Sequence, residues 1–137
     1  MKKNIAILDT NILVRFFTRD NEVHYKKAKA LFESAERRSL HVPMPVICEM
    51  VFVLTSVYEF DREEICEIVT GMVHFDAFAL SRNTLSVTIQ IFREHPSLSF
   101  IDAYISAKCV ITGSSLYTFD KKLHRSSSCE SLDLPFE

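Results

Sequence analysis

The chain has no tryptophan, and its 137 residues include only two glycines and four prolines. So little glycine leaves no Gly-rich phosphate cradle, which excludes a P-loop and a dinucleotide-binding fingerprint. The four cysteines (Cys48, Cys66, Cys109 and Cys129) form no C-x-x-C pair, and no His or Cys pair has ligand spacing. A zinc site is therefore not expected, and scattered thiols suit a reducing cytosol. No apolar run is long enough to span a bilayer. The start, Met1-Lys2-Lys3 and then about five apolar residues before Asp9, is too short for a signal-peptide core. A cytoplasmic protein with no membrane partner is expected. Basic charge is not in excess either. At a net charge of −2 and a pI near 6.2, a nucleic-acid partner has to meet a local basic patch.

What is present is an ordinary globular composition, 47% hydrophobic and 25% charged, with eleven phenylalanines. That predicts one domain over residues 1–137 with a core of its own, and no repeat or linker interrupts it. Ile5 to Leu8 is continuously apolar and predicts a fully buried parallel strand. Asp9-Thr10-Asn11 turns into a short helix from Ile12 to Thr18. A longer helix follows from Asn21 to Arg38, with Val23, Ala28, Leu31, Phe32 and Ala35 inward. Leu40 to Val42 predicts a second strand, and Pro45 starts a helix running to about Tyr58. Asp61 caps the next helix, with Ile65, Ile68, Val69 and Met72 inside. Phe75 to Leu80 is the third strand candidate, and Ser81 opens a helix that stops before Pro96. Ser99 and Gly113 bracket a helix from Phe100 to Ile111. Leu116 to Phe119 is a fourth strand, Ser126-Ser127-Ser128 a loop, and Leu132 to Leu134 an edge strand. Alternating strands and helices predict a three-layer α/β/α sandwich around a mainly parallel sheet.

Four carboxylates stand out because their neighbours are apolar. Asp9 closes Ile5-Ala6-Ile7-Leu8, and Asp120 closes Leu116-Tyr117-Thr118-Phe119. Glu49 is flanked by Ile47, Cys48, Met50 and Val51, and Asp102 lies between Ile101 and Ala103. Burying an unpaired carboxylate costs several kcal/mol, so each needs a partner. Asp9 and Asp120 have an alternative as helix N-caps, and Asp102 as the return half of a capping box with Ser99. Glu49 has a buried arginine as its alternative. All four can also meet beyond the carboxyl ends of the strands, where such sheets bind ligands. Two unit charges about 5 Å apart repel by roughly 3 kcal/mol at an effective dielectric near 20. Convergence therefore calls for a cation, and oxygen-only donors suit Mg²⁺ or Mn²⁺. A hard metal ringed by acids suits phosphodiester hydrolysis.

These residues resemble a known family. Leu8-Asp9-Thr10-Asn11 with Leu13, Pro43 through Glu49, Phe100-Ile101-Asp102-Ala103 and Tyr117-Thr118-Phe119-Asp120 resemble the PIN domain. More narrowly, they are similar to the VapC-type toxin ribonucleases of toxin–antitoxin pairs. The resemblance implies a Mg²⁺- or Mn²⁺-dependent endoribonuclease acting on RNA, with a small antitoxin as partner and a homodimer as its assembly. It implies Asp9 and Asp102 as core metal ligands, and Glu49 and Asp120 completing the shell or orienting the attacking water. Asn11 and Thr118 match supporting positions, with turn chemistry as their alternative. Arg15, Arg19, Lys121, Lys122, His124 and Arg125 follow the acids in sequence and are candidates for contacting phosphates. Lys26, Lys27 and Lys29 suit a solvated helix face. Tyr104 and Phe119 are candidate base stackers, with core packing as the alternative. Phe16, Phe17, Leu31, Phe32 and Val51 to Val57 are candidates for an antitoxin groove. No histidine is assigned a catalytic role.

Two other readings compete. A haloacid-dehalogenase-type phosphatase wants an acid two residues after its nucleophile, and position 11 is Asn. A non-catalytic scaffold binding RNA or protein would more naturally lack one of the four acids, and all four are present.

Overall fold

Three short parallel strands and seven helices make up residues 5–126, the part described by a computed structural model, with side chains described as far as Leu123. The protein is therefore α/β, with a parallel sheet. Its internal contacts fall into two units, Met1–Ser81 and Arg82–Glu137.

The first unit runs β1 (Ala6–Ile7), α1 (Thr10–Thr18), α2 (Glu22–Ser34), β2 (Leu40–His41), α3 (Met44–Ser56), α4 (Arg62–His74) and β3 (Phe78–Ala79). The strands lie in the order β1-β2-β3. Ala6 pairs with Leu40 and Leu40 with Phe78, all parallel. Parallel neighbours require helical crossovers, and α1 with α2, then α3 with α4, supply them. Leu13, Ile47, Met50, Leu54, Ile65, Val69 and Met72 are buried at the centre of this unit.

Local chemistry explains most helix ends. Asn21 caps α2 by accepting from the His24 amide at 3.0 Å. Pro43 and Pro45 preset the first turn of α3. Asp61 and Glu64 form a reciprocal capping box at the start of α4. The second unit holds α5 (Arg82–Glu94), α6 (Phe100–Thr112) and α7 (Lys121–Ser126). Ser99 caps α6 by accepting from the Asp102 amide, and Gly113 ends it at φ +65°, a conformation glycine adopts without strain. Phe92 of α5 meets Phe100 of α6 edge to face at 5.5 Å. Leu116 and Leu123 pack with Cys109 and Ile105 of α6.

The structure corrects several expectations. β1 is not buried on both faces, and among the described residues it stands at one end of the sheet. Leu8 is buried, but Ile5 is 65% and Ile7 70% exposed. α2 ends at Ser34 rather than Arg38, since Ala35 turns to extended backbone. Val23 and Leu31 are exposed on α2, and only Ala28 and Phe32 anchor it. The fourth strand does not form. Only Leu116 makes a bridge, while Tyr117 and Phe119 point to solvent. Thr118 there closes a turn by accepting from the Asp120 amide, and turn chemistry replaces a ladder. Cys66 and Cys109 are buried and Cys48 half-buried, and none of the three is in a disulfide. Cys129, Ser127, Ser128 and the proposed edge strand at Leu132 to Leu134 lie outside the described residues.

Candidate functional site

In the first unit, Asp9 follows β1 and occupies the N-cap position of α1, with extended backbone (φ −83°, ψ 157°). Its carboxylate makes no capping hydrogen bond and is exposed. The capping alternative is therefore not realised here. Thr10, the first residue of α1, is buried at 5% exposure, and its hydroxyl donates to Oε2 of Glu49 at 2.9 Å. Glu49 itself lies on the outer side of α3. Ile47, Met50, Val51 and Leu54 turn inward, while Pro45, Glu49 and Phe52 turn outward. Glu49 thus needs no buried arginine, because the helical period carries it away from the apolar neighbours that precede and follow it.

In the second unit, Asp102 is half-buried in the first turn of α6. Ser99 caps its amide, but Asp102 returns no bond to Ser99, so the capping box is only half made. Asp120 is exposed, and Oδ1 accepts from the Lys122 amide at 2.9 Å and the Leu123 amide at 3.3 Å. Here the capping alternative is realised, leaving Oδ2 outside the cap. Thr118 touches the Asp120 backbone rather than its carboxylate. Asn11 is exposed on α1.

The expectation of four acids buried in apolar settings is overturned. Asp9, Glu49 and Asp120 are exposed, and Asp102 is half-buried. In neither unit do the described residues gather three His, Cys, Asp or Glu side chains that could hold a metal ion. The donor chemistry still fits a hard cation. In the first unit it offers a carboxylate free of capping bonds and a second one oriented by a hydroxyl, with oxygen donors only.

The basic candidates divide. Lys121 and Lys122 are exposed at the start of α7, and the side chains of His124 and Arg125 lie outside the described residues. Lys26, Lys27 and Lys29 are exposed on α2, as expected. Arg19 is bidentate to Glu22 and lies 4.2 Å from the centre of the Tyr25 ring. Arg15 is bonded to Asp20 at 2.6 Å. The Tyr58 hydroxyl and Arg15 together hold the Asp20 carboxyl down to about 2.

That network predicts an acid-labile contribution to stability. A depressed carboxyl stabilises the fold above its unfolded pKa, roughly 3.9, and the contribution is lost as pH falls through the folded value, about 2. Melting temperature followed from pH 5 to pH 2 is expected to fall less steeply for Tyr58→Phe than for the parent chain. Parallel profiles would remove this network from the acid response.

Beside the sheet, the first unit has an aromatic groove of about 540 Å³. Phe16, Phe17, Tyr25, Phe32, Phe75 and Phe78 line it, with Lys29, Glu33 and Glu67 among its polar residues. Three of the expected groove residues (Phe16, Phe17 and Phe32) are there. Leu31 and the segment Val51 to Val57 are not among its lining. Thr10 was missed by reading acids alone. The available signal was a hydroxyl directly following Asp9 at the start of an amphipathic helix.

The sequence profile of the PIN domain matches residues 6–127. The chain belongs to the PIN domain family. PIN domains are typically metal-dependent nucleases that act on RNA, and all four acids lie within the matched span of this one. No curated protein sequence matches this PIN domain closely enough to count as a relative. None of its helices among the described residues is long and apolar enough to cross a membrane.

Proposed function

We propose that this PIN domain is a Mg²⁺-dependent endoribonuclease, with Mn²⁺ able to substitute, and that Asp9, Glu49, Asp102 and Asp120 are its acidic quartet. The observation carrying the reading is Asp9, an N-cap aspartate whose carboxylate does no capping. Aspartate at that position ordinarily accepts from the first-turn amides, so its alignment elsewhere leaves both oxygens for a cation. Asp9 and Asp102 would be the core ligands, with Glu49 and Asp120 completing the shell. A divalent ion held this way supplies an activated water and neutralises charge developing on phosphorus.

Within this reading, Lys121 and Lys122 contact phosphates flanking the cut, together with Arg125. Arg15 contributes only by sharing a guanidinium already bonded to Asp20. Phe119, 74% exposed, is the better candidate for base stacking, and Tyr104 is half-buried. Asn11 and Thr118 support the acids. The same reading makes the protein a cytoplasmic toxin acting as a homodimer, neutralised by a small antitoxin seated in the aromatic groove.

The test is cleavage of a mixed structured-RNA pool by purified protein with Mg²⁺, with Mn²⁺ and with EDTA. Cutting with either metal and none in EDTA is expected. A folded protein that neither cuts nor takes up metal by calorimetry would leave the non-catalytic scaffold instead.

A further inference from the structure

We propose that Thr10 is a positioning residue whose buried hydroxyl sets the Glu49 carboxylate beside Asp9 for metal binding. The inference rests on the nuclease reading for its consequence, but its geometry stands alone. An ionised carboxylate only accepts, so the 2.9 Å contact has one possible direction, from the Thr10 hydroxyl to Oε2 of Glu49. A donor on an anionic acceptor makes one of the stronger hydrogen bonds. Oε1 has no bond among the described residues and remains available.

The donor is rigid. Threonine is β-branched and stiff at χ1, and Thr10 is 5% exposed at the first position of α1. The acceptor is not rigid by itself, because Glu49 is exposed on α3 and has three rotatable bonds. A fixed hydroxyl therefore selects among the orientations of a mobile carboxylate. Adjacency does the rest. Thr10 and Asp9 are consecutive, their Cα atoms roughly 3.8 Å apart, so the bond ties Glu49 to the residue that follows Asp9. Nothing else on α1 makes a side-chain bond to α3 among the described residues.

The test compares Thr10→Val, which keeps shape and burial but removes the donor, with Thr10→Ser, which keeps the donor. Mn²⁺ affinity by calorimetry and the Mn²⁺ dependence of RNA cutting are read for both, with melting temperature as the check on folding. Thr10→Val is expected to weaken Mn²⁺ binding roughly tenfold, the scale of losing a group that orients a ligand. Thr10→Ser is expected to restore most of it. In a Glu49→Ala background Thr10→Val is expected to change nothing further. Unaltered Mn²⁺ affinity in a folded Thr10→Val variant, or an equal loss in the Glu49→Ala background, overturns the proposal. Crystal structures of parent and Thr10→Val separate this from failure of the nuclease reading. A displaced Glu49 carboxylate with no Mn²⁺ uptake by either protein would sink the metal site and leave the positioning bond intact. An undisplaced carboxylate would sink the positioning itself.

Discussion

Asp9→Asn and Asp102→Asn are each expected to lower RNA cleavage by roughly 100-fold or more, the scale beyond that of losing a group which merely orients a ligand. Both substitutions keep volume and shape while removing a charge and an anionic donor. Neither should unfold the protein. The Asp9 carboxylate makes no capping bond, and the α6 cap is made by Ser99 rather than by Asp102. Loss of cutting at unchanged melting temperature would tie the activity to these two acids. Asp120→Asn forms an informative contrast, since Oδ1 of Asp120 already caps two amides of α7. An asparagine oxygen can keep that cap, so a loss there reports the second oxygen and the charge. Full activity in Asp9→Asn and Asp102→Asn would remove the quartet as the catalytic group.

The largest stability effect is expected at Phe32, where Phe32→Ala should cost about 3 kcal/mol, the lower end for a buried phenylalanine. Phe32 is 6% exposed and joins the elements of the first unit through its ring edges. It meets Phe16 of α1 at 4.9 Å, Phe78 of β3 at 5.2 Å and Phe75 at 6.0 Å. Edge-to-face pairs of this kind add to the area term. The value sits low in the range because Phe32 also lines the open groove, so water can enter part of the space. The urea midpoint should drop by roughly 1–3 M. Phe52→Ala is the control, since Phe52 is 67% exposed on α3 and should change stability by less than about 0.5 kcal/mol. Equal effects from the two would mean that the aromatic cluster does not hold this unit together.

The groove and the acids differ in how much of each the sequence revealed. Phe16, Phe17 and Phe32 were legible as apolar groove candidates on the first two helices, but the other half of the groove was not. Phe75 and Phe78 come from the end of α4 and from β3, more than forty residues away in the chain. The four acids and their order were legible as residues, and the family match covers them all. Their burial was misread. Apolar neighbours in sequence signal a buried position only in a strand covered on both faces. On α3 the same neighbours turn inward while Glu49 turns out.

The sequence by itself determined the α/β alternation and the helix ends that local chemistry controls. Asn21, Asp61, Ser99 and Gly113 act within four residues of themselves, and so do the prolines of α3. Their effects do not depend on how the rest of the chain packs. Only the tertiary structure decided that β1 stands at one end of the described sheet, because strand order is a matter of which distant segments pair, and that Ile7 is 70% exposed. It also decided that Asp120 caps α7 while Asp9 leaves its cap unmade. The Thr10–Glu49 bond spans 39 residues. No local pattern encodes such a contact, since it exists only once packing has brought α1 and α3 together.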